Sequence, residues 1–144
     1  MARKVFFSFK YEDVSRAMIV RNSWVTQDAA GFIDAADFEK IKKQGDVAIQ
    51  KWIDNQLSGT SVTVVLVGKD TCTSRWVNYE VEKSKSLGHG IFGIDISKIP
   101  NFKKETTERC GEFPKGYPFH LWLKEDGYKN LSTWIEAAAK AVGK

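Results

Sequence analysis

Trp76, Tyr79 and Glu80 crowd into one short stretch of the chain. Trp76 and Glu80 are spaced i,i+4, which on a helix places them on one face with Tyr79 beside them. An aromatic platform next to a carboxylate suits a flat cationic or heteroaromatic ligand. The same spacing also reads as a core tryptophan with a solvated glutamate on a helix shoulder, and by composition alone that plainer reading is the commoner one. Glu82 falls on a different face and reads as solvated. His89 and His120 lie far apart without ligand-type neighbours, so neither a metal site nor a Ser-His-Asp triad is expected. Carboxylates are left as the leading catalytic groups. Residues 88–93 (GHGIFG) spell G-x-G-x-x-G, but they follow a helix and enter a strand, the reverse of a dinucleotide fingerprint. Cys72 and Cys110 share no metal or redox spacing and are read as two reduced thiols.

These side chains need elements to position them. Residues 4–9 (KVFFSF) read as a buried strand, followed by Asp13 as cap of a helix with Val14, Ala17, Met18 and Val25 inward. Residues 32–34 (FID) read as a short second strand ending on Asp34. Asp46 is expected to cap a helix with Ile49, Trp52, Ile53 and Leu57 on one face, stopped at Gly59. Residues 61–67 (SVTVVLV) are β-branched and apolar without clean alternation, as in a strand covered on both faces. A helix over about 73–87 and a buried strand over 91–96 follow. Residues 97–117 read as a long surface loop. Residues 118–122 read as a last, edge-like strand, since proline is tolerated there. Asn130 is expected to cap a final helix with Leu131, Trp134, Ile135, Ala138 and Val142 inward. Strands alternating with helices predict a parallel sheet with right-handed crossovers, a flavodoxin-like doubly wound α/β fold of four or five strands with helices on both faces.

In such sheets ligands bind beyond the carboxyl ends of the strands. That rule collects Ser8, Phe9, Lys10 and Tyr11 after the first strand, Asp34 after the second, and Gly68, Asp70 and Thr71 after the third, before the helix holding Trp76, Tyr79 and Glu80. Phe6 shares one side of the first strand with Ser8 and is otherwise plain core. Asp13 reads as a cap rather than a catalyst. Asp34 reads equally as a partner for a ribose hydroxyl or as the start of a turn.

The length of 144 residues suits one domain, taken here as residues 1–144, and 42% hydrophobic content suffices for a packed core. No apolar run approaches the roughly 20 residues needed to span a bilayer, and the N-terminus lacks signal-peptide form. No membrane association is expected, and the protein is read as cytoplasmic. The net charge of +4 is spread along the chain, without the one-sided basic stripe of a nucleic-acid binder.

Residues 4–9 (KVFFSF) with Asp13 resemble the first strand and following loop of TIR domains. Residues 74–81 (SRWVNYEV) are similar to the TIR segment S-x-W-C-x-x-E-L, with Val77 for the usual Cys and Val81 for the Leu. Together with SVTVVLVG, RWVNYEVEKS and DGYKNLSTWI they extend the resemblance from first strand to last helix, and it is greatest to the TIR-like ThsB family of the Thoeris anti-phage system. The resemblance implies cleavage of NAD at the nicotinamide–ribose bond, with NAD as substrate and no cofactor. It maps the catalytic glutamate onto Glu80, and substrate-flanking aromatics onto Trp76 and Tyr79 and onto Phe6 and Phe9. An ionised Glu80 would stabilise an oxocarbenium-like transition state, as in glycoside hydrolysis. The resemblance further implies a cyclic ADP-ribose-type signal, a separate effector protein that responds to it, and self-association. Many TIR domains are adaptors, so a non-catalytic interaction module is the alternative; Glu80 with Trp76 favours the enzyme.

Overall fold

The structure, a computed structural model, describes residues 4–24, 29–30 and 40–144. Among these residues five parallel strands form one sheet: β1 (Val5–Ser8), β2 (Ala29–Ala30), β3 (Val62–Val67), β4 (Gly90–Asp95) and β5 (Phe119–Leu121). Their order is β2-β1-β3-β4-β5. Val5 pairs with Val62 and Ser8 with Val65, while Val62 pairs with Gly90 and Val67 with Asp95. The helices are α1 (Val14–Ser23), α2 (Asp46–Leu57), α3 (Arg75–Ser86) and α4 (Gly127–Ala141).

The period-2 alternation of strand side chains explains both cores. Val5 and Phe7 of β1, Val64 and Leu66 of β3, and Phe92 and Ile94 of β4 pack with Ala17 and Val20 of α1 and with Leu131 and Ile135 of α4. The intervening residues face the other way: Phe6 meets Ile53 and Leu57 of α2, and Val65 and Val67 meet Val77 of α3. Each buried Val, Leu, Ile or Phe among them contributes roughly 1.5–3 kcal/mol of hydrophobic stabilisation. Both faces are therefore covered, and every residue of 62–67 is buried.

Several expectations are corrected. The strand expected at 32–34 is preceded by the two-residue β2 at Ala29–Ala30, which pairs with Val5 and Phe6 and is too short to leave a periodic signal; residues 32–34, and with them Asp34, lie outside the described residues, as does Val25. Gly45, not Asp46, occupies the cap position of α2, in the left-handed region at φ 92° that glycine favours. The last helix starts at Gly127 rather than at Asn130, whose Nδ2 donates to the Glu125 carbonyl at 2.8 Å. Val142 follows the end of α4 and Met18 lies on the outer side of α1, so both are substantially exposed. Asp13 makes no side-chain bond to the α1 backbone. It is buried instead beside Gly68 and pairs with Arg16 at 3.5 Å.

The loop over residues 97–117 is fastened to the body at several points. Buried Arg16 donates from Nε to the Ile99 carbonyl at 2.7 Å and from Nη2 to the Glu105 carbonyl at 2.9 Å. Arg109 donates to Asp95 at 2.9 Å, and the Cys110 N–H donates to the Gly68 carbonyl at 3.0 Å. That last contact lays Cys110 against the turn holding Cys72, and the two form a disulfide with Cα atoms 5.8 Å apart. The expected pair of reduced thiols is thereby corrected: a 38-residue separation conceals a juxtaposition made by the return of the loop over the end of β3.

Candidate functional site

β1 leads to α1 on one face of the sheet and β3 leads to α3 on the other. The chain thus diverges between β1 and β3, and the crevice beyond their carboxyl ends is where a sheet of this order binds ligands. A cleft of about 210 Å3 opens there. Its apolar walls are Phe9 and Tyr11 from the segment after β1, Ile49, Trp52 and Ile53 from α2, and Trp76 from α3. Ser74 and Glu80 of the α3 segment also line it, with Lys10, Glu12 and Lys42 as its other charged residues.

α3 carries its buried residues Val77, Glu80 and Ser84 along one stripe. Glu80 thus occupies a position where an apolar side chain is the rule, and it is only 7% exposed. The helix is set by Ser74, whose Oγ accepts from the Val77 N–H at 3.3 Å at the N-cap. Lower on the same stripe, Ser84 donates to the Glu80 carbonyl and shares a hydrogen bond with Thr63, each at 2.7 Å, which pins α3 to β3. The carboxylate itself meets β1. Ser8, fully buried, points to the same side as Phe6 and donates from Oγ to Glu80 Oε1 at 2.5 Å. Burial pushes the Glu80 carboxyl up to about 8, and the bond from Ser8, which favours the anion, offsets only part of that rise. At neutral pH the protonated form therefore dominates. The ionised Glu80 expected from the sequence is a minority species until something in the cleft favours it.

The structure brings Ser8, Phe9, Trp76 and Glu80 together and sets the other expected site residues apart. Phe6 is fully buried in the core cluster beneath the cleft, against Ile53 and Leu57. Tyr79 turns towards α2: its hydroxyl donates to Asp54 at 2.8 Å, and that bond pushes its phenol up from the ordinary tyrosine range. Its ring meets Trp76 edge-on, with centroids 5.9 Å apart and planes at 79°. Tyr79 thus joins two helices and props the Trp76 ring rather than facing the cleft. Arg75 lies over the Trp76 ring, 4.6 Å from its centroid, and pairs with Asp46 at 2.8 Å. Glu82 is exposed and pairs with Lys85, as a solvated residue does.

Sequence reasoning did not place Ile49 and Trp52 in the site because they share the apolar stripe of α2 that also buries Ile53 and Leu57. Their half-exposed ends form the cleft wall, and no periodicity separates wall from core. Lys42 gives no signal either, since it reads as one of a surface cluster. Among the described residues no group of three or more His, Cys, Asp or Glu side chains converges to hold a metal ion, and no helix is long and apolar enough to cross a membrane.

Sheet order, covering helices and cleft position define a flavodoxin-like α/β domain of the TIR class. The TIR domain of the Toll-related receptor TRR-2 from Hydra magnipapillata superposes with a TM-score of 0.59 over 92% of this chain and 97% of that one; at 14% identity this likeness speaks for fold alone. Residues 6–101, which hold Ser8, Trp76 and Glu80, match the family described as Thoeris protein ThsB, TIR-like domain. Over 139 residues the chain is 49% identical to a Bacillus cereus (strain MSX-D12) protein named "Putative cyclic ADP-D-ribose synthase ThsB1", covering 93% of this chain and 72% of the relative. The chain belongs to the ThsB TIR-like family of Thoeris proteins.

Proposed function

We propose that this chain consumes NAD, breaking the nicotinamide–ribose bond at Glu80 and releasing a cyclic ADP-ribose-type signal. The observation that carries the reading is a buried glutamate, held by a buried serine, in a cleft walled by aromatic rings. In NAD the bond to be broken joins ribose C1′ to a pyridinium nitrogen. Its electrons leave with nicotinamide, which departs neutral, so no general acid is required. Positive charge then develops on the ribose ring, and a carboxylate beside it stabilises that charge most strongly where water is excluded.

A protonated Glu80 cannot supply that stabilisation, so the substrate's own charge matters. The pyridinium cation placed near the carboxyl favours the anion by direct Coulomb attraction and draws its pKa down, with the proton lost to solvent on binding. Trp76 offers a face on which the cationic ring can stack. The oxocarbenium ion then partitions between water and a nucleophile on the folded-back adenosine half. A cleft lined by Phe9, Tyr11, Trp52 and Trp76 disfavours water and raises the effective concentration of the internal nucleophile. The name of the Bacillus cereus relative supports the cyclic outcome. A separate effector protein would respond to the product, and self-association would assemble the active form.

Purified protein incubated with NAD is expected to release nicotinamide together with a product of the mass of ADP-ribose less one water. Glu80→Gln, with unchanged circular dichroism, is expected to abolish the release. Full activity in that variant overturns the assignment of Glu80, linear ADP-ribose as the sole product overturns cyclisation, and inactivity of the assembled wild type favours the interaction-module alternative.

A further inference from the structure

The two sulfurs of the Cys72–Cys110 disulfide have unequal surroundings. Cys72 is exposed, in the short helical turn Thr71–Thr73 between β3 and α3. Cys110 is half-buried; its N–H donates to the Gly68 carbonyl at 3.0 Å, and its Sγ accepts from the Cys72 N–H at 2.6 Å. A second cavity, of about 120 Å3, opens beside the pair, lined by both cysteines with Asn78, Val81, Glu112 and Phe113 among others. A small reagent can thus reach one sulfur from solvent and find room beside the bond. Each cysteine also fastens a different element. Beyond Cys110 the chain turns at Gly111, in the left-handed region at φ 56°, and runs to β5 as a strap. Among the described contacts of residues 111–117 there is no hydrogen bond. Phe113 lies against Gly93 and stacks on Phe119 with centroids 5.3 Å apart, and Tyr117 lies under the Lys85 ammonium at 5.7 Å. On the other side, the Ser74 N–H donates to the Thr71 carbonyl at 3.0 Å and Asn78 Nδ2 to the Cys72 carbonyl at 3.5 Å. Ser74 caps α3 and lines the Glu80 cleft together with Trp76. The disulfide is therefore the covalent tie between the strap and the start of α3.

We propose that this disulfide is a thiol-exchange site, opened by a small thiol that attacks Cys72, and that its opening frees the strap and loosens the start of α3 at the cleft. The incoming thiolate bonds to Cys72 Sγ, the S–S bond breaks, and its electron pair leaves on Cys110 Sγ. The Cys72 N–H already donates to that sulfur and stabilises the departing thiolate. Attack in the other direction meets the half-buried sulfur and forfeits that hydrogen bond to the leaving group. A second small thiol then attacks the incoming molecule's sulfur in the mixed disulfide. Both cysteines end reduced, carrying the protons of the two small thiols, which end oxidised and joined to each other. With the tie gone, the strap is held by the Cys110 hydrogen bond and by the Phe113 and Tyr117 ring contacts, a set small enough to open locally while the core stays folded. The inference does not depend on the reaction proposed for Glu80.

The test follows the sulfurs and the backbone separately. Oxidised wild-type protein is mixed with mercaptoethanol under native conditions, quenched with N-ethylmaleimide at early times and mapped by mass spectrometry. The first product is expected to carry mercaptoethanol on Cys72 and the maleimide on Cys110. Hydrogen exchange is then compared between the oxidised protein, the fully reduced protein and a Cys72→Ser/Cys110→Ser double variant. In the reduced protein and the double variant, exchange over residues 68–78 and at the Cys110 amide is expected to rise several-fold, with β1 and α4 unchanged and circular dichroism retained. Should the double variant fail to fold, the reduced wild type carries the same comparison. An adduct formed first on Cys110, or a native disulfide that does not react, overturns the exchange site. Exchange over 68–78 equal to that of the oxidised protein overturns the loosening. Exchange that rises throughout the reduced chain makes the bond a staple of the whole fold and overturns the local clasp.

Discussion

Replacing Glu80 by Gln removes a titrating proton from the interior while keeping shape and hydrogen-bonding capacity, and its effect on stability has a sign that can be worked out. In the folded protein burial raises the carboxyl from 4.5 to about 8. In the unfolded chain it titrates like any exposed glutamate, near 4.3. Between those values the folded state holds a proton that the unfolded state has lost, so stability falls as pH rises. The contribution is fully present below about 4.5 and gone above about 8. Each pH unit in that window costs about 1.4 kcal/mol, so the wild type loses roughly 3.5 kcal/mol by pH 7 and about 5 kcal/mol in all. The sum is comparable with the lower end of total domain stability, about 5–15 kcal/mol. Glu80→Gln has no such slope. Urea midpoints of both proteins at pH 5, 6, 7, 8 and 9 isolate the effect, because the other titrating groups cancel in the difference. The variant is expected to gain on the wild type steadily up to pH 8 and then level off. Parallel curves would mean that the carboxyl is solvated in the native state, and the account of the site as a desolvated acid would be wrong.

Ser8→Ala removes the hydrogen bond that favours the ionised carboxyl, so the rising limb of kcat/KM against pH should move above about 8 and activity at pH 7 should fall roughly tenfold; an unmoved limb would separate Ser8 from the ionisation. Gly90→Ala would place a Cβ 2.3 Å from the Ala138 carbonyl oxygen, a backbone atom of α4, and should lower stability by roughly 1–3 kcal/mol in denaturant titration; an unchanged midpoint would show that α4 can slide away. Tyr79→Phe loses the bond to Asp54 and should cost about 1 kcal/mol with nicotinamide release retained; lost release at full stability would return the phenol to the cleft. EDTA should leave nicotinamide release unaffected, and loss of activity restored by a divalent ion would refute a carboxylate-only mechanism.

The sheet was legible because its signals are redundant. Residues 62–67 are apolar on both faces and the runs 4–9 and 91–96 repeat the pattern, so the parallel architecture and the crevice at its carboxyl ends followed from the rule for open sheets. Glu80 and Trp76 were legible as a pair through their helical spacing. What spacing could not supply was direction at finer grain. Tyr79 is one residue from Glu80, yet it turns onto α2 because Asp54 is there to accept its hydroxyl. Phe6 shares a strand face with Ser8, yet its ring fills the core while Ser8 reaches the carboxylate. The Cys72–Cys110 pairing depends on where a 97–117 loop returns, a matter of tertiary anchoring by Arg16 and Arg109 that local sequence does not encode.

The protonation state of Glu80 is the most consequential property the sequence hid, and it bears directly on selectivity. A carboxylate held ionised in a cleft would attract any cation and would be solvated whenever the cleft stood empty. A carboxyl held neutral by burial is silent towards such ligands unless one brings charge into contact with it and shuts water out. The cost of ionising it in the folded protein, about 1.4 kcal/mol at pH 7 for a carboxyl at about 8, must be supplied by whatever enters. On the proposed reading a pyridinium bound beside Trp76 would supply it, whereas nicotinamide after cleavage, being neutral, would not. On the same reading, this desolvation would favour substrate over its departing fragment and would return the carboxyl to its neutral form once nicotinamide and the product have gone. Ser8 sets how far this balance leans, since its hydroxyl is the one described hydrogen bond to the carboxyl and acts in favour of the anion.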